Sequence, residues 1–240
     1  MEDSKNNFYN LKKTEFFEQF SEFNRIVKKL VNQKYGKEFA EKAADEIKKE
    51  YESIYKGIPY VGGDNNPLTS DLVSATMDLA LYLVLKKYNK PLEDIGEIAY
   101  EACEEIFSIY PEAADLATNP KYMHYIKMGS YKSEEREFPQ DWVYSFVEGN
   151  DDFDYGLDFT ECGICKLFHK YYADDFIPYL CAMDIIMSET ANAGLHRTQT
   201  IAEGGAKCDF RYKTGRDTNV SSTVFKSRKW FLSSLKNCHS

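Results

Sequence analysis

No apolar run in this chain approaches the roughly 20 residues that a membrane-spanning helix needs. The nearest, Leu79 to Leu85, is short and stops at Lys86-Lys87, so no membrane span is predicted. The opening Met-Glu-Asp-Ser-Lys lacks the basic-then-apolar pattern of an export signal, and a cytoplasmic chain is expected. Cationic excess is missing too: 30 Lys and Arg stand against 39 Asp and Glu, a net charge of −9. That balance argues against nucleic acid or an anionic membrane as partner. Histidine is sparse near the cysteine-rich stretch, where His169 and His196 are the only imidazoles. A phosphate loop is also lacking: Gly62-Gly63 is followed by no Gly-Lys-Ser/Thr and preceded by no suitable strand.

What is present is material for a core. The chain is 43% hydrophobic, with 18 Tyr and 16 Phe, far more aromatic than a disordered sequence, and long enough for one large domain or one and a half. It also carries six cysteines. Without an export signal these are expected to be reduced thiols rather than a disulfide framework.

Periodicity divides the chain. Phe16, Phe17, Phe20, Phe23, Ile26, Val27 and Leu30 recur at helical spacing, Gly36 interrupts, and Phe39 to Tyr55 continues in strong helix formers, so residues 8–55 read as two amphipathic helices. After a loop at 57–67, Thr69-Ser70-Asp71 reads as the cap of a helix reaching about Tyr88. That helix is apolar nearly all round and should be central. A fourth helix fits Pro91 to Tyr110, with Cys103 as a small buried hydrophobe. From Pro111 through Pro120 to Tyr131 the pattern defines nothing but a connection.

At Phe138-Pro139 the period changes to two. Trp142 to Val147 and Asp154 to Glu161 form a hairpin around Gly149-Asn150-Asp151-Asp152, with Tyr155, Leu157 and Phe159 on one face. A helix pair fits Gly163 to Ala191, broken near 173–175, with Asp174 as N-cap and Pro178 in the next first turn. A second hairpin joins Leu195–Ile201 to Ala206–Tyr212 across Glu203-Gly204-Gly205. The expected fold is α+β: a helical region, 1–137, packed as one compact unit on 138–214, an antiparallel sheet of about four strands in the order β-β-α-α-β-β. Residues 215–240 read as a basic, Ser/Thr-rich tail, open to docking a partner.

Chemistry concentrates between Glu161 and Arg211. In the second hairpin the alternation sends Leu195, Arg197, Gln199, Ile201, Cys208, Phe210 and Tyr212 inward. His196, Thr198, Thr200, Asp209, Arg211 and Lys213 go to solvent. A buried arginine needs an anion. Cys181, Asp184 and Ser188, spaced i, i+3, i+7, share a helical face with Ile177 and supply a carboxylate. Two readings stand: a structural Asp184–Arg197 pair, or Arg197 as a two-point clamp for a substrate carboxylate with Asp184 as acid/base. The thiols Cys162, Cys165, Cys181 and Cys208 have three readings: packing, a zinc or iron–sulfur site, or a nucleophile. A helix starting after Gly163 favours thiolate at Cys162 or Cys165, and His169 lies one turn beyond Cys165, so a Cys–His couple is open.

The segments Glu161-Cys-Gly-Ile-Cys-Lys-Leu, Pro178-Tyr-Leu-Cys-Ala-Met-Asp, Arg197-Thr-Gln-Thr and Gly204-Gly-Ala-Lys-Cys-Asp-Phe-Arg together resemble the L-2-amino-thiazoline-4-carboxylic acid hydrolase family. The resemblance is good from about Asp158 to Tyr212 and loose before it. It implies water-driven opening of a small cyclic isothiourea carboxylate to an N-carbamoyl cysteine, without a cofactor. The residues suit that activity: on this reading Arg197 is expected on the substrate carboxylate, Asp184 on the amidine N–H groups, and Cys165 or Cys208 attacking the C=N carbon or positioning water. Cys162 and Cys181 stand as further catalytic candidates, and Gln199, Glu161 and His169 as further substrate contacts. The implied partner is a small-molecule carboxylate; self-association into a homo-oligomer is left open. A small-molecule sensor on the same α+β frame, without turnover, is the rival reading.

Overall fold

The structure, a computed structural model, describes residues 2–114 and 118–221. The greater part of the expected basic tail, and with it Cys238, lies outside the described residues.

Helix α1 (Glu2–Tyr35) and helix α2 (Lys37–Gly57) form an antiparallel pair broken at Gly36, whose φ is 86°. Phe16, Phe20, Phe23, Val27 and Leu30 recur every three or four residues and are all buried, giving α1 one apolar seam. Phe20 stacks on Tyr51 of α2 with ring centroids 4.0 Å apart. Helix α3 (Thr69–Lys87) is buried on almost every side, as its all-round apolarity requires. The Thr69-Ser70-Asp71 cap does not form. Leu68 holds the N-cap position, its N–H goes to Asn66 Oδ1 at 2.9 Å, and the Thr69 hydroxyl donates to the Gly63 carbonyl. The preceding loop supplies its own Asx turn and takes over the capping.

Helix α4 (Leu92–Ile109) lies against α1, α3 and a later helix over Ile177–Thr190. Where the sequence shows only a connection there is a further helix, α5 (Pro120–Glu134), started by the Asn119 side chain accepting from the Lys121 N–H, with Pro120 in the first turn. Its buried positions are Ile126, Gly129, Ser130 and Ser133, too small and polar to register as an apolar stripe. They bury because the strand over Val143–Glu148 meets them: Tyr144 donates its hydroxyl to the Ile126 carbonyl at 2.9 Å, and the Tyr144 N–H reaches Ser133 Oγ at 3.1 Å.

Strands β1 (Val143–Glu148) and β2 (Tyr155–Glu161) form the expected hairpin. Helices α6 (Gly163–Lys170) and α7 (Ile177–Thr190) follow, separated by a 3₁₀ turn at Asp174–Phe176. Asp174 does not cap α7; its carboxylate bonds His169 Nδ1 at 2.9 Å instead. Strand β3 (Leu195–Arg197) pairs with β4 (Cys208–Tyr212), and β4 with β2. A fifth strand, β5 (Asn219–Val220), runs parallel to β3, so the sheet is mixed, in the order β1-β2-β4-β3-β5. The α+β class holds, with helices and sheet sharing one continuous core from Tyr9 to Tyr212. Phe146, Tyr155 and Tyr212 stack in a row across three strands. No described helix is long and apolar enough to cross a membrane.

The second hairpin departs from expectation beyond Arg197. Asp209 turns its carboxylate onto the N–H groups of Thr198 and Gln199, each at 2.9 Å, and onto the Thr198 hydroxyl. Those donors are thereby lost to a β ladder, β3 stops at three residues, and Thr200, expected on the solvated face, is buried.

Two features give tests of this packing. An added Cβ at Gly96 of α4 would lie 1.8 Å from Tyr179 Cδ1 on α7, so the helices meet there only because glycine has no side chain. Gly96→Ala is expected to cost about 1–3 kcal/mol as overpacking and to lower the melting temperature by roughly 3–10 °C. Within α3, Asp78 is 9% exposed, its Oδ1 has no partner, and burial pushes its carboxyl from 3.8 up to about 8. A carboxyl raised on folding contributes stability that is full below its unfolded value and is lost as pH climbs towards 8. Asp78→Asn should therefore melt higher than the parent at pH 9, with the difference closing towards pH 4 in a series of thermal melts.

Candidate functional site

Four elements converge behind the sheet: the end of β2, the first turn of α6, α7, and the facing pair β3–β4. Cys162 leaves β2 and caps α6, its sulfur accepting the Cys165 N–H at 3.5 Å. Gly163 follows because the Trp142 ring covers it; a Cβ there would lie 2.8 Å from Trp142 Cε3. The Cys162 thiol is held below its ordinary range by hydrogen bonds from the Cys165 thiol, from the N–H groups of Cys165 and Ile164, and from the Trp142 side chain, against burial. A sulfur at a helix N-terminus with several donors aimed at it is a favoured thiolate.

The other thiols are pushed the opposite way. Cys165 is raised, first by its bond to Cys162 and then by burial. Burial raises Cys181 far above the ordinary thiol range despite Arg197 nearby, and pushes Cys208 up to about 11, although its sulfur accepts the Ile201 N–H at 3.2 Å. All five described cysteines are free, and Cys162, Cys181 and Cys208 all bear electrostatically on the Cys165 thiol, so the four share one neighbourhood. Among the described residues, no group of three or more His, Cys, Asp or Glu stands in metal-holding geometry.

Arg197 is the bulkiest fully enclosed side chain among the described residues, at 1% exposure. Its Nη1 donates to Asp184 Oδ2 and its Nη2 to the Cys181 carbonyl at 2.9 Å. The guanidinium lies 5.1 Å from the Phe210 ring centroid, a cation–π contact. Its Nε–H has no partner. The i, i+3, i+7 stripe of α7 thus runs along β3: Cys181 and Asp184 meet Arg197, and Ser188 Oγ accepts the Leu195 N–H at 2.8 Å. The Asp184 side chain remains a quarter exposed. Burial raises its carboxyl above the ordinary range, with the Arg197 charge opposing.

The remaining sequence candidates lie apart. Glu161 is held low by Lys166 and Arg136. The His169 side chain is 79% exposed and bonds Asp174 rather than a thiol. Gln199 Oε1 accepts the Ala206 N–H at 3.1 Å and braces the turn. Trp142, which donates to Cys162, carried no sequence signal beyond membership of a strand-forming run.

The ranking of the thiols gives a direct test. Brief alkylation near neutral pH, read by peptide mass spectrometry, should modify Cys162 first among the five described cysteines and Cys181 last. Trp142→Phe should slow the Cys162 reaction by removing a donor to the thiolate.

Comparison with known proteins gives one finding. Residues 73–212, more than half of the chain, match the profile of the L-2-amino-thiazoline-4-carboxylic acid hydrolases. No curated protein and no solved structure matches. The matched span runs from α3 to the end of β4 and encloses the whole thiol, aspartate and arginine cluster. The chain belongs to the L-2-amino-thiazoline-4-carboxylic acid hydrolase family.

Proposed function

We propose that the protein hydrolyses a small cyclic amidine or isothiourea carboxylate of the 2-amino-thiazoline-4-carboxylate kind, opening the ring to an N-carbamoyl amino acid. The observation that carries the reading is the depressed Cys162 thiol, caught between a helix N-terminus and an indole, in the same cluster as the Asp184–Arg197 pair. Family membership supports the reaction class.

In this reading Cys162 sulfur adds to the amidine carbon and the ring C–S bond breaks, its sulfur leaving as a thiol. Water then adds to the same carbon and Cys162 departs. The water oxygen ends as the carbamoyl oxygen, and its two hydrogens end on the ring nitrogen and the released sulfur. Asp184, raised by burial and partly open, accepts the amidine N–H and moves the proton. Arg197 holds Asp184 in place, and its spare Nε–H supports a role as donor to the substrate carboxylate. Cys165, protonated, donates to the Cys162 thiolate, while Cys181 and Cys208 stay as thiols beside it. The reaction needs no metal or cofactor, and a product of this kind belongs to cysteine metabolism.

The test is turnover of 2-amino-thiazoline-4-carboxylate and related cyclic amidine carboxylates, with chelator present. Cys162→Ser should abolish it, and Asp184→Asn should lower kcat by about 10²–10⁴-fold, the usual worth of a positioned acid/base. Arg197→Lys should raise KM by roughly 10–100-fold as a charge-assisted contact is lost. Binding without turnover in the parent protein would instead favour a sensor, and stoichiometric zinc or iron in the purified protein would favour the thiols as ligands.

A further inference from the structure

Cys162 and Cys165 stand in a closer relation than the other thiols. They are the N-cap and the third residue of α6. The rise and radius of an α-helix set residues three apart at about 5 Å between Cα atoms, within the roughly 4.4–6.8 Å that a disulfide spans. The N-cap backbone is extended, at φ −118° and ψ 121°, and turns its side chain back over the first turn. The Cys162 sulfur there accepts the Cys165 N–H at 3.5 Å, and the Cys165 thiol donates to the same sulfur. Closing a bond between the two sulfurs therefore asks for side-chain rotation, not for a break in α6.

Access separates the pair from Cys208 as well. Cys162 and Cys165 are each partly exposed, whereas Cys208 is buried and its sulfur faces the Ile201 N–H at 3.2 Å. Two adjacent sulfurs of unlike acidity, within reach of small solutes, are what a reversible oxidation needs: one attacks and the other resolves.

We propose that Cys162 and Cys165 are an oxidation site for hydroperoxides, closing to a reversible disulfide at the start of α6. The Cys162 thiolate attacks one peroxide oxygen and the O–O bond breaks. Sulfenic acid is left on Cys162, and the other oxygen departs, protonated, as water or an alcohol. Cys165 sulfur then attacks Cys162 sulfur, the S–O bond breaks, and the hydroxide takes the Cys165 proton to leave as water. Two thiols have then given two electrons to the peroxide, and a dithiol reductant returns them by exchange. The order of steps is built in: the bond to Cys162 is the first thing holding the Cys165 proton, and oxidation of Cys162 removes it. The loop closed runs only from 162 to 165, so the disulfide gains little from chain entropy and stays open to reduction. The consequence alone rests on the hydrolase reading: with Cys162 as nucleophile, the disulfide stops turnover until it is reduced.

The experiment treats the full chain, reduced and freed of reductant, with hydrogen peroxide. Remaining thiols are alkylated, and peptides are mapped by mass spectrometry before and after dithiothreitol. The peptide carrying both residues should lose two hydrogen atoms, take up no alkyl group, and regain both thiols with dithiothreitol. Cys165→Ser, whose hydroxyl can donate but cannot resolve, should stop at a Cys162 sulfenic acid that dimedone traps. Cys208→Ser should cross-link as the parent does. A disulfide from Cys162 to Cys181 or Cys208, Cys162 carried to sulfinic acid with Cys165 still free, or both thiols still alkylated after peroxide overturns the inference. The parent chain gives each of those results, so the test stays decisive if a variant fails to fold. Thiazoline-carboxylate turnover measured in parallel separates the two proposals. A complete, reversible cross-link in a protein whose reduced form has no turnover sinks the hydrolase reading alone. Turnover in a protein that never cross-links sinks the oxidation site alone.

Discussion

The enclosed guanidinium of Arg197 is the constraint on which the C-terminal half depends. A charge at 1% exposure would cost several kcal/mol if left alone, and the chain meets that cost with Asp184, a carbonyl and an aromatic face. The partners come from two elements: α7 gives the first two and β4 the third. Satisfying one side chain therefore fixes α7 against β3 and β3 against β4, and Ser188 repeats the attachment one turn on. Residues that lock the architecture are the same residues that border the cysteine cluster.

Around that lock, one structural economy recurs. Donors that would ordinarily complete secondary structure are diverted to side chains. The first N–H groups of α6 turn to a sulfur, and those of Thr198 and Gln199 to Asp209. The first diversion makes Cys162 the acidic thiol of its cluster. The second ends β3 right after Arg197, so the chain leaves the sheet next to the place where chemistry is proposed. Cys165 is raised by donating to Cys162 and by burial, and burial raises Cys181 and Cys208, the latter against a single backbone donor from Ile201.

Much of this was legible in the sequence where periodicity is strong: the α1–α2 pair, the buried α3, the first hairpin, and the meeting of Asp184 with Arg197, which follows from i, i+3, i+7 spacing and strand alternation. Helix α5 was not legible because its inward face is Ile126, Gly129, Ser130 and Ser133, a surface defined by what strand β1 brings to it. The early end of β3 was hidden for a related reason: a carboxylate competing for backbone donors leaves no trace in hydropathy. Spacing also could not choose among four thiols, because the difference lies in donors, Trp142 among them, that are distant in sequence.

Strand β5 bears on how the protein is made. Arg197's own strand lies between β4 and β5, and both neighbours follow it in the chain; the Ser221 N–H closes on the Arg197 carbonyl at 2.8 Å. During synthesis the thiols at 162, 165 and 181 thus emerge from the ribosome well before the wall that shelters them can be assembled. For that interval they lack the neighbours that set their acidities apart in the folded chain, and the full distinction between Cys162 and the other thiols exists only once β4 is in place.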